Sequence, residues 1–321
     1  LHTGQHYDDQ LSSNFFEELK IPKPSVNLNV GSGNHGEQTA KMIAGIERQL
    51  LQQRPDCLLV YGDTNSTLAG AIAASKLHVP IAHVEAGLRS FNMRMPEEIN
   101  RILTDRVSSR LYAPTQTAVD NLQNEGYNLA DVSLVGDVTY DLATYYGSIV
   151  PPYRSEPFVL CTFHRPENTD NVARLTTIVD SLIRIAEDHK VIFPIHPRTE
   201  SALKAAGLYN KLRDKVEIIN PVGLIEMVSM QKAAALIMTD SGGIQKEAFF
   251  YETPCVTLRD QTEWIETVEA GCNWLTPPTS TENVLESVSQ ALSSKIDFSQ
   301  RPYGDGTAAA KIISDLAIQY L

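Results

Sequence analysis

Cysteine and basic charge are both scarce in this sequence. The four cysteines form no CxxC pair, and each lies in or beside an apolar run. This pattern favours buried thiols in a reducing compartment over disulfide bonds, and hence a cytoplasmic protein. The formal net charge of −12 argues against nonspecific binding of nucleic acid, which requires a basic surface. An anionic ligand would therefore need a local cluster of arginines.

Long apolar runs, repeats and metal-binding motifs are also missing. No run reaches the roughly 18 apolar residues that a membrane-spanning helix requires, and there is no signal-peptide pattern, so no membrane partner is expected. We find no repeat of solenoid period and no low-complexity tract. HxH and HExxH spacings are absent, so no metal site is predicted.

The length and the apolar pattern predict two α/β domains. At roughly 100–200 residues per domain, a chain of 321 residues suggests two. Short apolar runs alternate with helical patterns, as parallel α/β sheets require. The proline-rich segment Gly147–Pro157 is the best linker candidate. The chain starts at Leu1 with the pattern of a strand tail entering a loop, so an earlier strand and helix are expected to be missing.

Each half of the chain therefore predicts a doubly wound sheet, and the two halves are expected to enclose a cleft. Strands are predicted at Cys57–Tyr61, Val79–Val84, Ser109–Ala113, Val132–Val135, Phe158–Phe163, Lys190–Ile195, Val216–Ile219, Ala235–Thr239 and Pro254–Leu258. Helices are predicted at Gln38–Gln52, Ser66–Leu77, Pro96–Ser108, Thr115–Gly126, Val172–Asp188, Leu224–Lys232, Ile244–Tyr251, Thr281–Leu292 and Gly306–Tyr320. In such sheets ligands bind beyond the carboxyl ends of the strands, so the residues after each strand are the site candidates.

Carboxylates follow two successive strands of the first half. Asp63 comes after one strand and Glu85 after the next, and these strands are expected to be sheet neighbours. A carboxylate directly after a buried strand needs a partner or a ligand, although Asp63 could instead cap the following helix. Glu97 and Arg101 have helical i,i+4 spacing and share a face, which fits either a site or a surface ion pair.

The segment TDSGGIQKEA places a serine and two glycines between a strand and a helix. The backbone N–H groups of Ser241, Gly242 and Gly243 would suit a phosphate at the helix start, although a tight turn with a serine cap has the same pattern. Arg259 follows the next strand, and a guanidinium grips phosphate through two hydrogen bonds. Glu247 could accept hydrogen bonds from ribose hydroxyls or act as a partner of the helix dipole.

Two histidines of the second half are site candidates. His164 and His196 each follow a predicted strand and could face the cleft. His78 and His83, in the first half, are expected to be structural or exposed.

Together these stretches resemble the non-hydrolysing UDP-N-acetylglucosamine 2-epimerase family. The resemblance rests on VEAGLRS, PEE with a following NR, HRPEN, TDSGGIQKEA, RDQTEW and YGDGTAAAKI, in that order. It implies a GT-B-like fold of two Rossmann-like domains around a cleft. Residues 1–148 would form the first domain, with the last helix in residues 305–321 packing back on it, and residues 149–304 would bind UDP. It also implies a UDP-sugar partner, no cofactor and a homodimer.

The resemblance also implies a role for each matching residue. The catalytic and substrate-contacting positions are matched by Asp63, Glu85, Glu97 and His164, with Arg101 as the arginine one turn after the catalytic glutamate. The UDP contacts are matched by Ser241, Gly242, Glu247 and Arg259, together with Gly243 of the same loop. Met227 stands where the family usually has an aromatic residue near the uracil.

Besides Met227, two features depart from the family pattern. A Gly-Thr-Arg-Pro phosphate loop, expected after the first strand, is absent. Gln5, Arg165 and His196 match a site for a second, activating UDP-sugar. At two further positions of that site, Asp8 and Glu37 replace a glutamine and an arginine. The segments GSGNHGEQT and RSFNMRMPEEINR resemble those of a branch of the family that includes enzymes for diacetamido-uronic acid sugars. The exact sugar therefore stays open.

The function expected from the resemblance is epimerisation at C2 of a UDP-2-acetamido sugar. The family route eliminates UDP to give a 2-acetamidoglucal and then adds UDP back. This route needs acid/base groups on both faces of the ring and fixed positive groups that hold UDP as it leaves. It needs no nicotinamide. The rival functions are a retaining glycosyltransferase of the same architecture, a hydrolysing epimerase and a non-catalytic UDP-sugar binder.

Overall fold

The structure, a computed structural model, describes residues 1–5 and 21–320. The chain forms two units. Unit 1 contains Leu1–Asp141 and Pro302–Leu321, and unit 2 contains Leu142–Arg301. The division falls inside a helix, Val138–Ile149, and not in the proline-rich segment after it. Asp137 accepts a hydrogen bond from the backbone N–H of Thr139 at the start of this helix, at 2.7 Å.

Unit 1 contains four strands and six α-helices in its described part, counting the helix that it shares with unit 2. The strands are β1 Leu58–Tyr61, β2 Ile81–Val84, β3 Arg110–Ala113 and β4 Val132–Leu134. The helices are α1 His35–Gln53, α2 Asn65–Lys76, α3 Pro96–Val107, α4 Gln116–Asn124, α5 Val138–Ile149 and, near the end of the chain, α14 Ala308–Tyr320.

All strands of the unit 1 sheet are parallel, in the order β1-β2-β3-β4. Every residue of β2 is buried, as expected for a parallel strand covered on both faces. One face packs on α1 and α2 through a cluster that includes Met42, Ile46 and Ala71. On the other face, Ile312 of α14 packs against Val84.

Helix α14 is tied to the unit 1 sheet by polar contacts as well as apolar ones. Arg110 of β3 donates to Asp315 through Nε at 3.0 Å and through Nη2 at 2.8 Å. The hydroxyl of Tyr112 donates to the same carboxylate at 2.8 Å. The last helix therefore completes unit 1, although 160 residues of unit 2 precede Pro302.

Unit 2 contains six strands and eight further helices in its described part. The strands are β5 Val159–Thr162, β6 Val191–Pro194, β7 Glu217–Ile219, β8 Leu236–Thr239, β9 Cys255–Thr257 and β10 Asn273–Leu275. The helices are α6 Pro166–Thr169, α7 Val172–Ile185, α8 Pro197–Ala205, α9 Tyr209–Arg213, α10 Leu224–Ala233, α11 Gly242–Phe250, α12 Ile265–Glu269 and α13 Thr281–Ser293.

The unit 2 sheet is parallel and doubly wound, in the order β10-β9-β8-β5-β6-β7. Strand order reverses between β5 and β8, which pair directly from Val159↔Leu236 to Thr162↔Thr239. Ligands of open α/β sheets bind at the carboxyl ends of the strands at such a reversal. The loops after β5 and β8 are therefore where unit 2 is expected to hold its ligand.

Two further features bear on the class of protein. Cys161, Cys255 and Cys272 are free and buried, and Cys57 is free and partly buried. Among the described residues, no helix is both long and apolar enough to cross a membrane.

In unit 1 a cavity of about 390 Å³ lies between Leu1 and β1, and neither Asp63 nor Glu85 lines it.

Candidate active site

Asp63 and Glu85 lie at the ends of two adjacent strands of unit 1. Strands β1 and β2 pair in parallel, with Tyr61 opposite Val84, which confirms that the two strands are sheet neighbours. A turn at Gly62 (φ +63°) leads to Asp63, and a Cβ placed on Gly62 would lie 3.3 Å from Glu85 Oε2. The Glu85 carboxylate is therefore directed at the turn that carries Asp63.

Glu85 has a backbone conformation that is rare for a residue with a side chain. Its φ is +73°, and the backbone N–H groups of Glu85 and Ala86 both donate to the carbonyl of Tyr112 at 3.1 Å. Two residues opposite one are the signature of a β-bulge, which re-aims a side chain. Left-handed non-glycine residues cost on the order of 1–3 kcal/mol and cluster at functional sites.

Arg101 holds the carboxylate of Asp63 from helix α3. Its Nη2 donates to Asp63 Oδ2 at 2.6 Å, and its Nη1 donates to Glu98 Oε2. Burial alone would lower the pKa of Arg101, but the charges of Asp63 and Glu98 raise it. The alternative prediction of a surface ion pair between Glu97 and Arg101 is therefore wrong, because Arg101 is buried and Glu97 is exposed.

The second alternative for Asp63 is also wrong, because Asp63 does not cap the following helix. Thr64 is the N-cap of α2, and its side chain accepts from the backbone N–H of Thr67. Asp63 is fixed instead from α3: in addition to Arg101, the side-chain amide of Asn100 donates to the Asp63 carbonyl at 2.8 Å.

Glu98 is a buried residue of this site that sequence reasoning missed. Only 1% of it is exposed. It accepts from the backbone N–H groups of Ser90 at 2.9 Å and Phe91 at 2.8 Å. Burial opposes ionisation, but these donors and Arg101 hold the pKa of Glu98 below its ordinary value. The available signal was its i,i+3 spacing to Arg101.

Gly87, two residues after Glu85, fits a space that admits no side chain. Its φ is +81°, and an added Cβ would lie 2.3 Å from the carbonyl oxygen of Ala118. Gly126 has a similar φ of +79° but has no atom within 4 Å of the added Cβ. The two glycines therefore separate a steric cost from a conformational one.

We expect Gly87→Ala to destabilise unit 1 by roughly 2–4 kcal/mol, because both the backbone and α4 must move. Gly126→Ala should cost only about 1 kcal/mol, from its left-handed backbone alone. Urea unfolding followed by circular dichroism measures both changes. Equal midpoint shifts in the two variants would contradict the steric explanation.

In unit 2, Asp240 organises the loop after β5. It is fully buried, and its carboxylate accepts from the backbone N–H groups of His164 at 3.0 Å and Arg165 at 3.0 Å. The side-chain amide of Asn168 donates to it at 2.9 Å. One carboxylate at the end of β8 therefore fixes the loop at the end of β5, at the point where strand order reverses.

The Ser241–Gly243 segment begins helix α11. The hydroxyl of Ser241 accepts from the backbone N–H of Ile244, so the serine does act as a cap. A Cβ on Gly242 would lie 2.8 Å from Glu263 Oε1 and 3.8 Å from Arg165 Nη2. A carboxylate and a guanidinium therefore both lie beside the glycine loop.

Arg259 is buried and paired with Glu263. Its Nη2 lies 3.1 Å from Glu263 Oε2, and both side chains are less than a tenth exposed. Burial would raise the pKa of Glu263, but the charge of Arg259 brings it below its ordinary value. The guanidinium beside the loop therefore has a fixed orientation.

The other predicted residues of unit 2 lie on the helices around this loop. Glu247 accepts from the side-chain amide of Gln231 at 2.7 Å. Met227 of α10 is partly buried and packs against the cluster that contains Phe158 and Met230.

The two candidate histidines of unit 2 lie together. The rings of His164 and His196 have centroids 5.1 Å apart. Burial, followed by the charges of His164 and Arg198, lowers the pKa of His196. His196 also accepts from the backbone N–H of Arg198 at the start of α8, so part of its role is to cap that helix.

The unit 1 residues of the second, activating site have partners in their own unit. Gln5 accepts from the Ser66 hydroxyl at 2.7 Å, and Glu37 is exposed and pairs with Lys41. Asp8 lies outside the described residues. Among the residues described, no three or more His, Cys, Asp or Glu side chains are grouped as a metal site would require.

Sequence reasoning also overlooked a GxGxxG spacing at Gly31–Gly36, which leads into α1. Gln38 of that helix donates to the carbonyl of Gly31 at 2.9 Å and to that of Gln5 at 3.2 Å. The segment is thus bound to its own unit, and the spacing alone is a weak signal for a dinucleotide.

Comparison with known proteins gives consistent matches along the whole chain. The family described as UDP-N-acetylglucosamine 2-epimerase matches residues 1–317. The UDP-2,3-diacetamido-2,3-dideoxy-D-glucuronate 2-epimerase of Pseudomonas aeruginosa is 50% identical over 99% of this chain and 90% of its own length. The UDP-N-acetylglucosamine 2-epimerase of Methanocaldococcus jannaschii is 45% identical over 98% of this chain and 89% of its own length.

A solved structure is similar over nearly the same range. It is a crystal structure of the Methanocaldococcus jannaschii UDP-GlcNAc 2-epimerase in complex with UDP-GlcNAc and UDP. It has a TM-score of 0.89 and 45% identity, and it covers 99% of this chain and 91% of its own. Together with the two parallel sheets, this similarity confirms the predicted GT-B-like class of two Rossmann-like α/β domains.

Proposed function

Because the chain belongs to the UDP-N-acetylglucosamine 2-epimerase family, we propose that it interconverts two UDP-2-acetamido sugars that differ in configuration at C2. The observation that carries the proposal is the placement of Asp63 and Glu85 at the ends of adjacent strands, with the Glu85 carboxylate directed at the Asp63 turn. A glycosyltransferase or a non-catalytic binder is not favoured, because the matching family and both relatives are named as epimerases.

The proposed reaction is an elimination followed by an addition. The C2 proton is not adjacent to a carbonyl, so its direct removal would leave an unstabilised carbanion. In the elimination, a carboxylate takes the C2 proton as the C1–O bond breaks, which gives a 2-acetamidoglucal and UDP. UDP oxygen then adds back to C1 while a carboxylic acid delivers a proton to the opposite face of C2. The reaction consumes no cofactor.

The acid/base groups are assigned to unit 1. Asp63, Glu85 and Glu97 share the two proton transfers, which require groups on both faces of the ring. The bulge that fixes Glu85 and the ion pair from Arg101 to Asp63 support this role, because they hold both carboxylates in one geometry before substrate arrives.

The UDP contacts are assigned to unit 2. The backbone N–H groups of the Ser241–Gly243 loop and the guanidinium of Arg259 bind the diphosphate, and His164 lies near it. Arg165 also lies beside Gly242, but it is assigned to the activating site and not to the UDP contacts. Glu247 accepts from the ribose hydroxyls, and Met227 lies beside the uracil.

An activating site for a second UDP-sugar is also proposed. Arg165 and His196 are retained as its proposed residues in unit 2. Gln5 is also kept as a residue of this site. It has a structural role in addition, because the hydroxyl of Ser66 already donates to its side-chain oxygen.

Two features outside the site complete the proposal. A cytoplasmic location is supported by the free and buried thiols of Cys161, Cys255 and Cys272, which require no oxidising compartment. A homodimer is the assembly that the family resemblance implies, and light scattering on the purified chain tests it.

Proton NMR in D₂O tests the reaction and the choice of sugar together. UDP-N-acetylglucosamine and UDP-2,3-diacetamido-2,3-dideoxyglucuronate are incubated separately with the protein. We expect the C2 proton signal to disappear and the anomeric signals of the C2 epimer to appear with at least one of them. Turnover without deuterium at C2 would overturn the elimination route. Free sugar in place of UDP-sugar would identify a hydrolysing enzyme.

A further inference from the structure

His83 is a fully buried histidine of β2 whose two ring nitrogens both face hydrogen-bond acceptors. Nε2 lies 2.8 Å from the carbonyl oxygen of Gly62, and Nδ1 lies 2.6 Å from Asp105 Oδ1. The exposed alternative predicted from the sequence is therefore wrong. A carbonyl and a carboxylate can only accept, so the ring fits the site when both nitrogens carry protons.

Asp105 is an ionised partner for that ring. Its other oxygen accepts from Arg89 Nη1 at 2.8 Å and from the backbone N–H of Gly87 at 3.1 Å. Burial would raise the pKa of Asp105, but the hydrogen bonds and charges of His83 and Arg89 bring it below its ordinary value. Arg89 in turn forms a two-bond pair with Glu125, at 2.6 and 2.8 Å. The network thus joins two basic and two acidic side chains, of which only Glu125 is partly exposed.

The other end of the ring fixes the turn that carries Asp63. The Gly62 carbonyl accepts from His83, and the Gly62 N–H donates to the carbonyl of Val84 at 3.1 Å. Both backbone polar groups of Gly62 are thus tied to β2, the strand that ends at Glu85. These two bonds, together with the contacts from Arg101 and Asn100 to Asp63, set the position of the Asp63 turn relative to Glu85.

We propose that His83, doubly protonated and held by Asp105, is a positioning residue that sets the Gly62–Asp63 turn against Glu85. It touches no substrate and transfers no proton. The inference rests on the proposed function, because it takes Asp63 and Glu85 as the acid/base groups. Small displacements of such groups can lower a rate about 100-fold.

Two amide substitutions test the two hydrogen bonds of the ring separately. In His83→Gln the side-chain nitrogen can replace Nε2 and still donate to Gly62, whereas in His83→Asn it can replace only Nδ1. We expect His83→Asn to lower kcat about 30–100-fold with little change in KM, and His83→Gln to retain kcat within about 10-fold of the wild type. His78→Asn is the control, because His78 is exposed and its φ of +57° suits asparagine; its kcat should equal that of the wild type.

A spectroscopic measurement addresses the charge of the ring without turnover. In protein labelled with ¹⁵N at its eight histidines, the His83 ring should give the nitrogen shifts of an imidazolium, because both ring nitrogens face acceptors. The His83 signals are identified as those that are missing from the spectrum of either variant. If neither variant folds, they are assigned from contacts between the ring protons and Gly62. Nitrogen shifts of a neutral ring would overturn the inference.

The kinetic outcomes also separate the inference from the function. Deuterium entry at C2 in the wild type tests the reaction, whereas the ratio of kcat between His83→Gln and His83→Asn tests the positioning. Equal kcat in the two variants, at equal amounts of folded protein, would show that the Gly62 contact has no role. If the wild type does not turn over, the proposed function fails, and the imidazolium shifts still decide the state of His83.

Discussion

Replacing Glu85 with glutamine is expected to lower kcat by about 10²- to 10⁴-fold, the usual contribution of a general acid or base. Glutamine keeps the size of the side chain and can adopt the same φ of +73° at the bulge, so the fold should persist. It cannot accept the C2 proton. Steady-state kinetics on the preferred UDP-sugar measures the loss, and deuterium entry at C2 should fall by the same factor.

Glu252→Gln is the matched control for this substitution. Glu252 also has a left-handed backbone, with a φ of +58°, but it is exposed and lies in unit 2. Its variant should keep the kcat of the wild type. If Glu85→Gln kept more than about a tenth of the activity, a role for Glu85 in proton transfer would be excluded.

Replacing Asp240 with alanine is expected to destabilise unit 2 by roughly 3–5 kcal/mol. The substitution leaves the backbone N–H groups of His164 and Arg165 and the amide of Asn168 without their buried acceptor, and each such loss costs about 1–3 kcal/mol. Urea unfolding followed by tryptophan fluorescence measures the change selectively. The only two tryptophans of the chain, Trp264 and Trp274, both lie in unit 2.

Asp260→Ala provides the comparison for Asp240. The Asp260 side chain is 60% exposed and pairs with Arg174 at 2.7 Å. Exposed pairs contribute about 0–1 kcal/mol, so its urea midpoint should move little. If the two variants shifted the midpoint equally, Asp240 would not be the organising acceptor of the loop after β5.

Much of the sheet architecture follows from short apolar runs, but the elements held by polar contacts do not. Strand β10, at Asn273–Leu275, was not predicted, because its three residues have no strand pattern of their own. The buried Asn273 accepts from Thr257 and donates to Thr267, and these contacts form only in the folded unit. Helix α8 was missed although the sequence carried a signal, a proline in the first turn after His196.

The candidate site divides in the same way. The rule that ligands meet strand ends located Asp63 and Glu85, because it depends only on the order of strands along the chain. Helical spacing offered Glu97 as a possible ion-pair partner of Arg101 but could not indicate Asp63, because it considers only neighbours on one helix and Asp63 follows a strand. His83 was not recognised, since nothing in a strand pattern reveals that Asp105, 22 residues later, faces its ring.

The ion pair between Arg110 and Asp315 has a consequence for biosynthesis. A ribosome releases the whole of unit 2 before it releases the helix that carries Asp315. During that interval Arg110 and Tyr112 lack their acceptor, and the apolar surface around Val84 that receives Ile312 is uncovered. Unit 2, for which we propose nucleotide binding, is therefore complete in the nascent chain before unit 1, for which we propose proton transfer, and unit 1 is completed only when synthesis is almost finished.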